Sequence, residues 1–111
     1  MCMNLNEYQQ LALRTSRPKD AKDELYHLLL ALSGEVGEIH EKAKKTIRDK
    51  DSDFANFDTA DLTKELGDVL WYVAVLANYF DIDLEDVGAQ NIKKLASRLE
   101  RGTLGGSGDS R

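Results

Sequence analysis

Apolar residues recur along this chain at three- and four-residue steps in four separate stretches, and no stretch alternates β-branched with polar residues over a strand's length. The spacing predicts four helices and an all-α, four-helix bundle-like fold. The first covers about residues 5–14 and is followed by the turn-forming TSRPKD, which holds the only proline. The second runs from about Asp20 to Arg48 and the third over about 59–80, separated by the polar DKDSDFANFD. Asp58 is placed to cap the third helix, with Asp61 in its first turn. Asp83 is placed to cap a fourth through about Arg101, where Gly102 supplies the left-handed residue that commonly ends a helix. One domain over residues 1–102 follows, and the Gly- and Ser-rich residues 103–111 are expected to form a flexible tail.

Helical phase exposes an oddity in the second helix, within LLLALSGEVGEIHEK. With 100° per residue, Leu28, Ala31, Leu32 and Ile39 fall within about 60° of Glu35, so Glu35 lies inside the apolar arc and Glu38 at its margin. On the third helix Asp61, Glu65, Asp68 and Tyr72 form a stripe about 60° wide. Leu62, Leu66, Val69, Val73 and Leu76 flank it on one side and Trp71 and Val75 on the other. An isolated E-x-x-E is ordinarily a solvated face. Here two such pairs stand on consecutive long helices, both set among apolar residues.

A buried carboxylate without a partner costs several kcal/mol, and a cluster of them repels itself as well. Something positive must therefore lie among them. Protein cations would serve, but an all-oxygen set suits a hard divalent ion better, and Mg²⁺ takes one or two carboxylates together with water and substrate phosphate. Gly34 and Gly37 interrupt the helix beside these glutamates, each at a cost of about 1 kcal/mol against Ala. Their expected gain is close approach of another backbone or a ligand, or simply tight helix packing, and Gly67 admits the same two explanations.

Charge narrows the ligand. A formal net charge of −5 argues against a general nucleic-acid binder, yet leaves room for a small phosphorylated ligand. On the fourth helix Asn91, Lys94 and Arg98 share a stripe, with Ile92, Leu95 and Leu99 expected beside it facing inward. Lys94 and Arg98, one turn apart, would make a two-pronged phosphate clamp, or else are surface cations favouring the helix C-terminus. Cys2 is the only thiol, MCMNLNEYQQ lacks the pattern of a signal peptide, and no run reaches the length of a membrane span. The expected setting is the cytoplasm, with no membrane and no nucleic acid as partner.

The segments SGEVGEI, KELGDVLWYVAVLA and NIKKLASRLERG, in that order and preceded by LNEYQQLALRT, resemble MazG-like nucleoside triphosphate pyrophosphohydrolases of the all-α NTP pyrophosphatase superfamily. The resemblance extends to about residue 102. It implies Mg²⁺-dependent hydrolysis of a nucleoside triphosphate, a deoxynucleotide above all, to the monophosphate and pyrophosphate, with Mn²⁺ as a possible substitute. It implies metal ligation by Glu35, Glu38, Glu65 and Asp68, phosphate contacts at Lys94 and Arg98, and substrate proximity for Asn91 and Tyr72. It also implies a homodimer or a dimer of dimers, in keeping with apolar residues such as Leu29, Ile47, Val75 and Tyr79 on more than one face. Glu38, at the edge of the arc, is the expected proton acceptor from the attacking water. RLERGTL departs from the aromatic pattern that relatives carry after this arginine.

Three other readings compete. A di-iron carboxylate bundle needs two Glu-x-x-His pairs, and only Glu24 with His27 provides one. A non-catalytic helical interaction module would pair the acids with lysines, and the same fold acting on phosphoribosyl-ATP would keep the chemistry but change the substrate.

Overall fold

The computed structural model describes residues 2–111. Helix α1 is Leu5–Ala12, extended by one 3-10 turn at Leu13–Thr15; α2 is Glu24–Asp49, α3 is Thr59–Tyr79 and α4 is Leu84–Glu100. Among the described residues there is no strand, so the all-α fold expected from the periodicity is the one formed.

Most helix boundaries follow from local chemistry. Asn4 and Glu7 close a capping box on α1, the Asn4 side chain accepting from the Glu7 amide at 2.8 Å. Asp58 caps α3 as expected, accepting from the Asp61 amide at 3.0 Å. At the end of α4, Gly102 takes a φ of 69°, and the Thr103 amide donates back to the Arg98 carbonyl at 2.8 Å. That is the six-to-one bond of a Schellman ending.

Two boundaries depart from expectation. Helix α2 opens at Glu24 rather than Asp20, because the chain after Pro18 is still turning and Asp23 is left-handed with φ 63°. Helix α4 does begin after Asp83, but the Asp83 side chain makes no capping bond. Its opening amides are taken by α1 instead: Leu84 donates to Gln9 Oε1 at 3.0 Å and Glu85 to Asn6 Oδ1 at 2.9 Å.

Helix α2 lies along α3, while α1 packs against α3 and the start of α4. The core at that second junction is small: Ala12, Ala74 and Leu84, with Tyr8, Trp71 and Val73 against them. Gln9 runs through it, fully buried, and its amide nitrogen donates to the carbonyls of Ala74 and Ile82 at 3.0 Å each. Leu28 is the large apolar side chain that α2 buries completely.

Much apolar surface stays outside. Leu29, Leu30, Ile47 and Leu66 are exposed, and so are Ile92, Leu95 and Leu99, which the pattern had placed facing inward; Arg98 is buried beside them. Val75, expected among the exposed residues, is buried against the α1–α2 loop region. The radius of gyration is 17.0 Å, against about 13 Å for a compact chain of this length. An open shape with exposed apolar helix faces leaves α2–α3 and the far half of α4 thinly covered. Residues after Gly102 turn back along α4, where Lys94, Arg98 and Arg101 all bond to them.

Candidate active site

Helices α2 and α3 hold the acidic cluster between them. Glu35 comes from α2, and Glu65 and Asp68, one turn apart, come from α3; one carboxylate oxygen of each lies within 4.8 Å of the others. Glu35 and Glu65 are half-buried and Asp68 is exposed. The phase argument thus places three of the four expected acids together. Glu38 stands apart from that group, exposed one turn further along α2.

Electrostatics marks the cluster as short of positive charge. Partial burial pushes the Glu35 carboxyl up, and the charges of Asp68, Glu65 and Glu38 push it further the same way. One lysine does enter: Lys42 Nζ pairs with Asp61 and lies 3.5 Å from Glu65 Oε1. The hydrogen bond to Asp61 is the main reason the Lys42 ammonium holds its proton more tightly than usual. The acidic stripe of α3 therefore divides. Asp61 goes to Lys42, Glu65 is shared, and Glu35 and Asp68 have no ion pair among the described residues. A set of carboxylate oxygens with this residual negative charge fits a hard divalent cation, which accepts oxygen donors almost exclusively.

Beside the acids, Glu35, Asp68, Trp71 and Tyr72 line an open cleft of about 320 Å³. Tyr72 sits one turn beyond Asp68 with its ring 4.8 Å from that of Trp71, edge to face, and 6.4 Å from the His27 imidazole. Trp71 is fastened to the end of α1, its indole N–H donating to Thr15 Oγ1 at 2.9 Å and to the Ala12 carbonyl at 3.2 Å. It is a fixed wall. Tyr8, on α1, also feels the site: burial raises its phenol and the Asp68 charge adds to that.

The residues expected from α4 lie elsewhere. Lys94 and Arg98 are one turn apart, as the spacing requires, but their ion partner is Asp109 rather than any of the four acids. Asn91 is exposed in a shallow depression with Leu5, Glu85 and Gly88. Apart from the neighbouring turns of their own helices, no atom of the described residues comes within 4 Å of a Cβ built at Gly34, Gly37 or Gly67, so contact with another element does not account for them.

Lys42 and Tyr8 were not singled out from the sequence. Lys42 is seven residues beyond Glu35, on the same helical stripe, which is a usable signal once α2 and α3 are known to pair. Tyr8 carried no such signal, since it reaches the site only through the docking of α1.

The all-helical architecture agrees with the family that the chain matches. The profile of the MazG nucleotide pyrophosphohydrolase domain matches residues 24–102, and the chain belongs to that family. A relative is the Gene 37 protein of Mycobacterium phage L5, 48% identical over 92 residues, which are 83% of this chain and 81% of the relative. Among solved structures none matches the chain significantly. Membership supports pyrophosphohydrolase-type activity on a nucleotide. Among the described residues, no helix is long and apolar enough to cross a membrane.

Proposed function

We propose that the protein hydrolyses nucleoside triphosphates, deoxynucleotides among them, between the α and β phosphates, releasing the monophosphate and pyrophosphate with Mg²⁺ as cofactor. The observation that carries this reading is the gathering of Glu35, Glu65 and Asp68 from two helices with one shared lysine to offset them. Such a set, in a family of nucleotide pyrophosphohydrolases, fits a divalent ion better than it fits a folded-state ion pair. When bound there, Mg²⁺, or Mn²⁺ in its place, would neutralise the triphosphate and acidify a water.

The chain's own groups would do the rest. Glu35, Glu65 and Asp68 hold the ion, and Glu38, exposed at the margin, completes the set and accepts the proton of the incoming water. Tyr72 borders the cleft on the substrate side. Lys94 and Arg98 bind phosphate oxygens as a charged fork, with Asn91 on the same stripe of α4. Positioning and charge stabilisation supply most of the rate.

Assembly belongs to the same reading. The 17.0 Å radius of gyration and the exposed Leu29, Leu30, Ile47 and Leu66 support pairing with a second copy, as a dimer or a dimer of dimers working in the cytoplasm. Sedimentation at micromolar concentration should give no monomer.

A pyrophosphate-release panel over ribo- and deoxynucleoside triphosphates, with Mg²⁺ and then Mn²⁺, tests the activity. Turnover is expected with both ions and none with EDTA. Asp68→Asn should lower it at least about a hundredfold, and Glu38→Ala should abolish it without loss of helix content. Metal-independent release, or none on any nucleotide, would refute the reading.

A further inference from the structure

Arg98 is the buried cation of α4, only 3% exposed, and its neighbours are not the acids of α2 and α3. Its Nη2 donates to the Asp109 carbonyl at 3.0 Å, to Asp109 Oδ1 at 3.1 Å and, at 3.4 Å, to the Gly108 carbonyl. Lys94 Nζ donates to the same Asp109 oxygen at 3.1 Å. Hydrogen bonds from these two cations lower the Asp109 carboxyl from its ordinary value. The rest of the segment is fastened alongside: Arg101 donates to the Arg111 carbonyl at 2.9 Å, and Arg111 donates to the carbonyls of Gly108 and, at 3.2 Å, Leu104. Gly106 and Gly108 make the turns that allow it, with φ of 95° and 82°.

The fit is incomplete in an informative way. Arg98 Nε is buried and has no hydrogen-bond partner among the described residues. Asp109 engages Arg98 through a single nitrogen while the same carboxylate oxygen also serves Lys94. A guanidinium presents a planar fork that two acceptor oxygens satisfy together. A phosphate group, with three outer oxygens, can accept from Nε, from Nη2 and from Lys94 at once. Asp109 itself is 84% exposed, so its hold is that of a surface pair and weak. Release would also return backbone freedom to a segment containing Gly105, Gly106 and Gly108.

We propose that residues 103–111 are an internal competitor for the anion site on α4: the Asp109 carboxylate occupies the Lys94–Arg98 pair until a phosphate group displaces it and frees the strap. The proposal rests on the reading of Lys94 and Arg98 as phosphate contacts. It adds that the site arrives already filled, so substrate capture includes an exchange of one anion for another.

The test uses the full chain in EDTA at low ionic strength, with inorganic pyrophosphate as the probe, so that the α2–α3 carboxylates contribute no attraction. Calorimetry should find Asp109→Asn binding pyrophosphate about threefold more tightly than the parent, the scale of a surface pair, and Lys94→Ala more weakly. In nitrogen-15 spectra the Gly106 and Gly108 amides of the parent should move to free-chain positions on saturation, and in Asp109→Asn they should be there without ligand. Unchanged affinity in Asp109→Asn, with binding still lost in Lys94→Ala, overturns the strap and leaves the clamp standing. Pyrophosphate binding that survives both Lys94→Ala and Arg98→Lys overturns the clamp and the strap with it.

Discussion

Two junctions meet on α3 and are built on opposite terms. Where α1 meets α3 and α4, the central polar group finds its partners inside the chain: Gln9 is buried, yet its amide makes three hydrogen bonds at 3.0 Å to Ala74, Ile82 and Leu84. Where α2 meets α3, Glu35, Glu65 and Asp68 crowd together with Lys42 as the lysine that offsets them among the described residues, flanked by glycines whose faces no neighbouring helix approaches there. A buried polar group is stabilising when satisfied and expensive when not. The first junction therefore fastens the fold, and the second leaves its acids short of positive charge.

The largest effect should come from breaking the first. Gln9→Ala removes three bonds and strands the Leu84 amide and the Ile82 carbonyl in a small core, for a loss of about 3 kcal/mol in urea unfolding. Pyrophosphate release at a temperature where the variant remains folded should hold near the parent value. A change under about 1 kcal/mol would mean that the junction tolerates water, and that the two regions differ less than their geometry indicates.

A smaller and two-signed effect is expected at the second junction. Gly37→Ala should stabilise the metal-free protein by about 1 kcal/mol, since helix propensity gains and no other described element lies within 4 Å of the new methyl. Turnover or assembly should fall in the same variant, because the space beside the helix is kept for a ligand or a second copy. A stabilised variant with parental kinetics and sedimentation would show that space to be idle.

Titration gives the smallest effect. The Glu35 carboxyl is raised above its ordinary 4.5, mainly by burial and then by its acidic neighbours, so its ionisation opposes folding. That penalty is absent below the unfolded value near 4.5, grows as pH climbs through the interval up to the raised folded value, and is complete above it. In EDTA, Glu35→Gln should therefore match the parent melting temperature in acid and exceed it by a few degrees at neutral pH. Mg²⁺ should close the gap by raising the parent alone. Parallel melting curves at all pH values would remove the electrostatic half of the contrast.

How much of this could be read from residues alone depends on how local the cause was. Four helices, the Asp58 cap and the Gly102 ending were legible because each rests on neighbours within a turn. Glu35, Glu65 and Asp68 were legible too, since helical phase singles them out within apolar surroundings before any contact is known. The delayed start of α2 was not, because Asp23 owes its φ of 63° to the turn that precedes it. Gln9 was missed for a stronger reason: an ordinary polar residue in LNEYQQLA gains its role only from partners 65 to 75 positions away. Lys42 falls between, being visible in phase but assigned to Asp61 and Glu65 only by the register of α2 on α3.

The capping of α4 by α1 also bears on the order of assembly. Asp83 leaves the opening amides of the last helix to Gln9 and Asn6, which lie near the other end of the chain. On a ribosome the first three helices would emerge with their closing piece still unmade, and pairing over so long a separation is slow to nucleate. Docking of α4 onto α1 is therefore expected to come late in the folding of this domain.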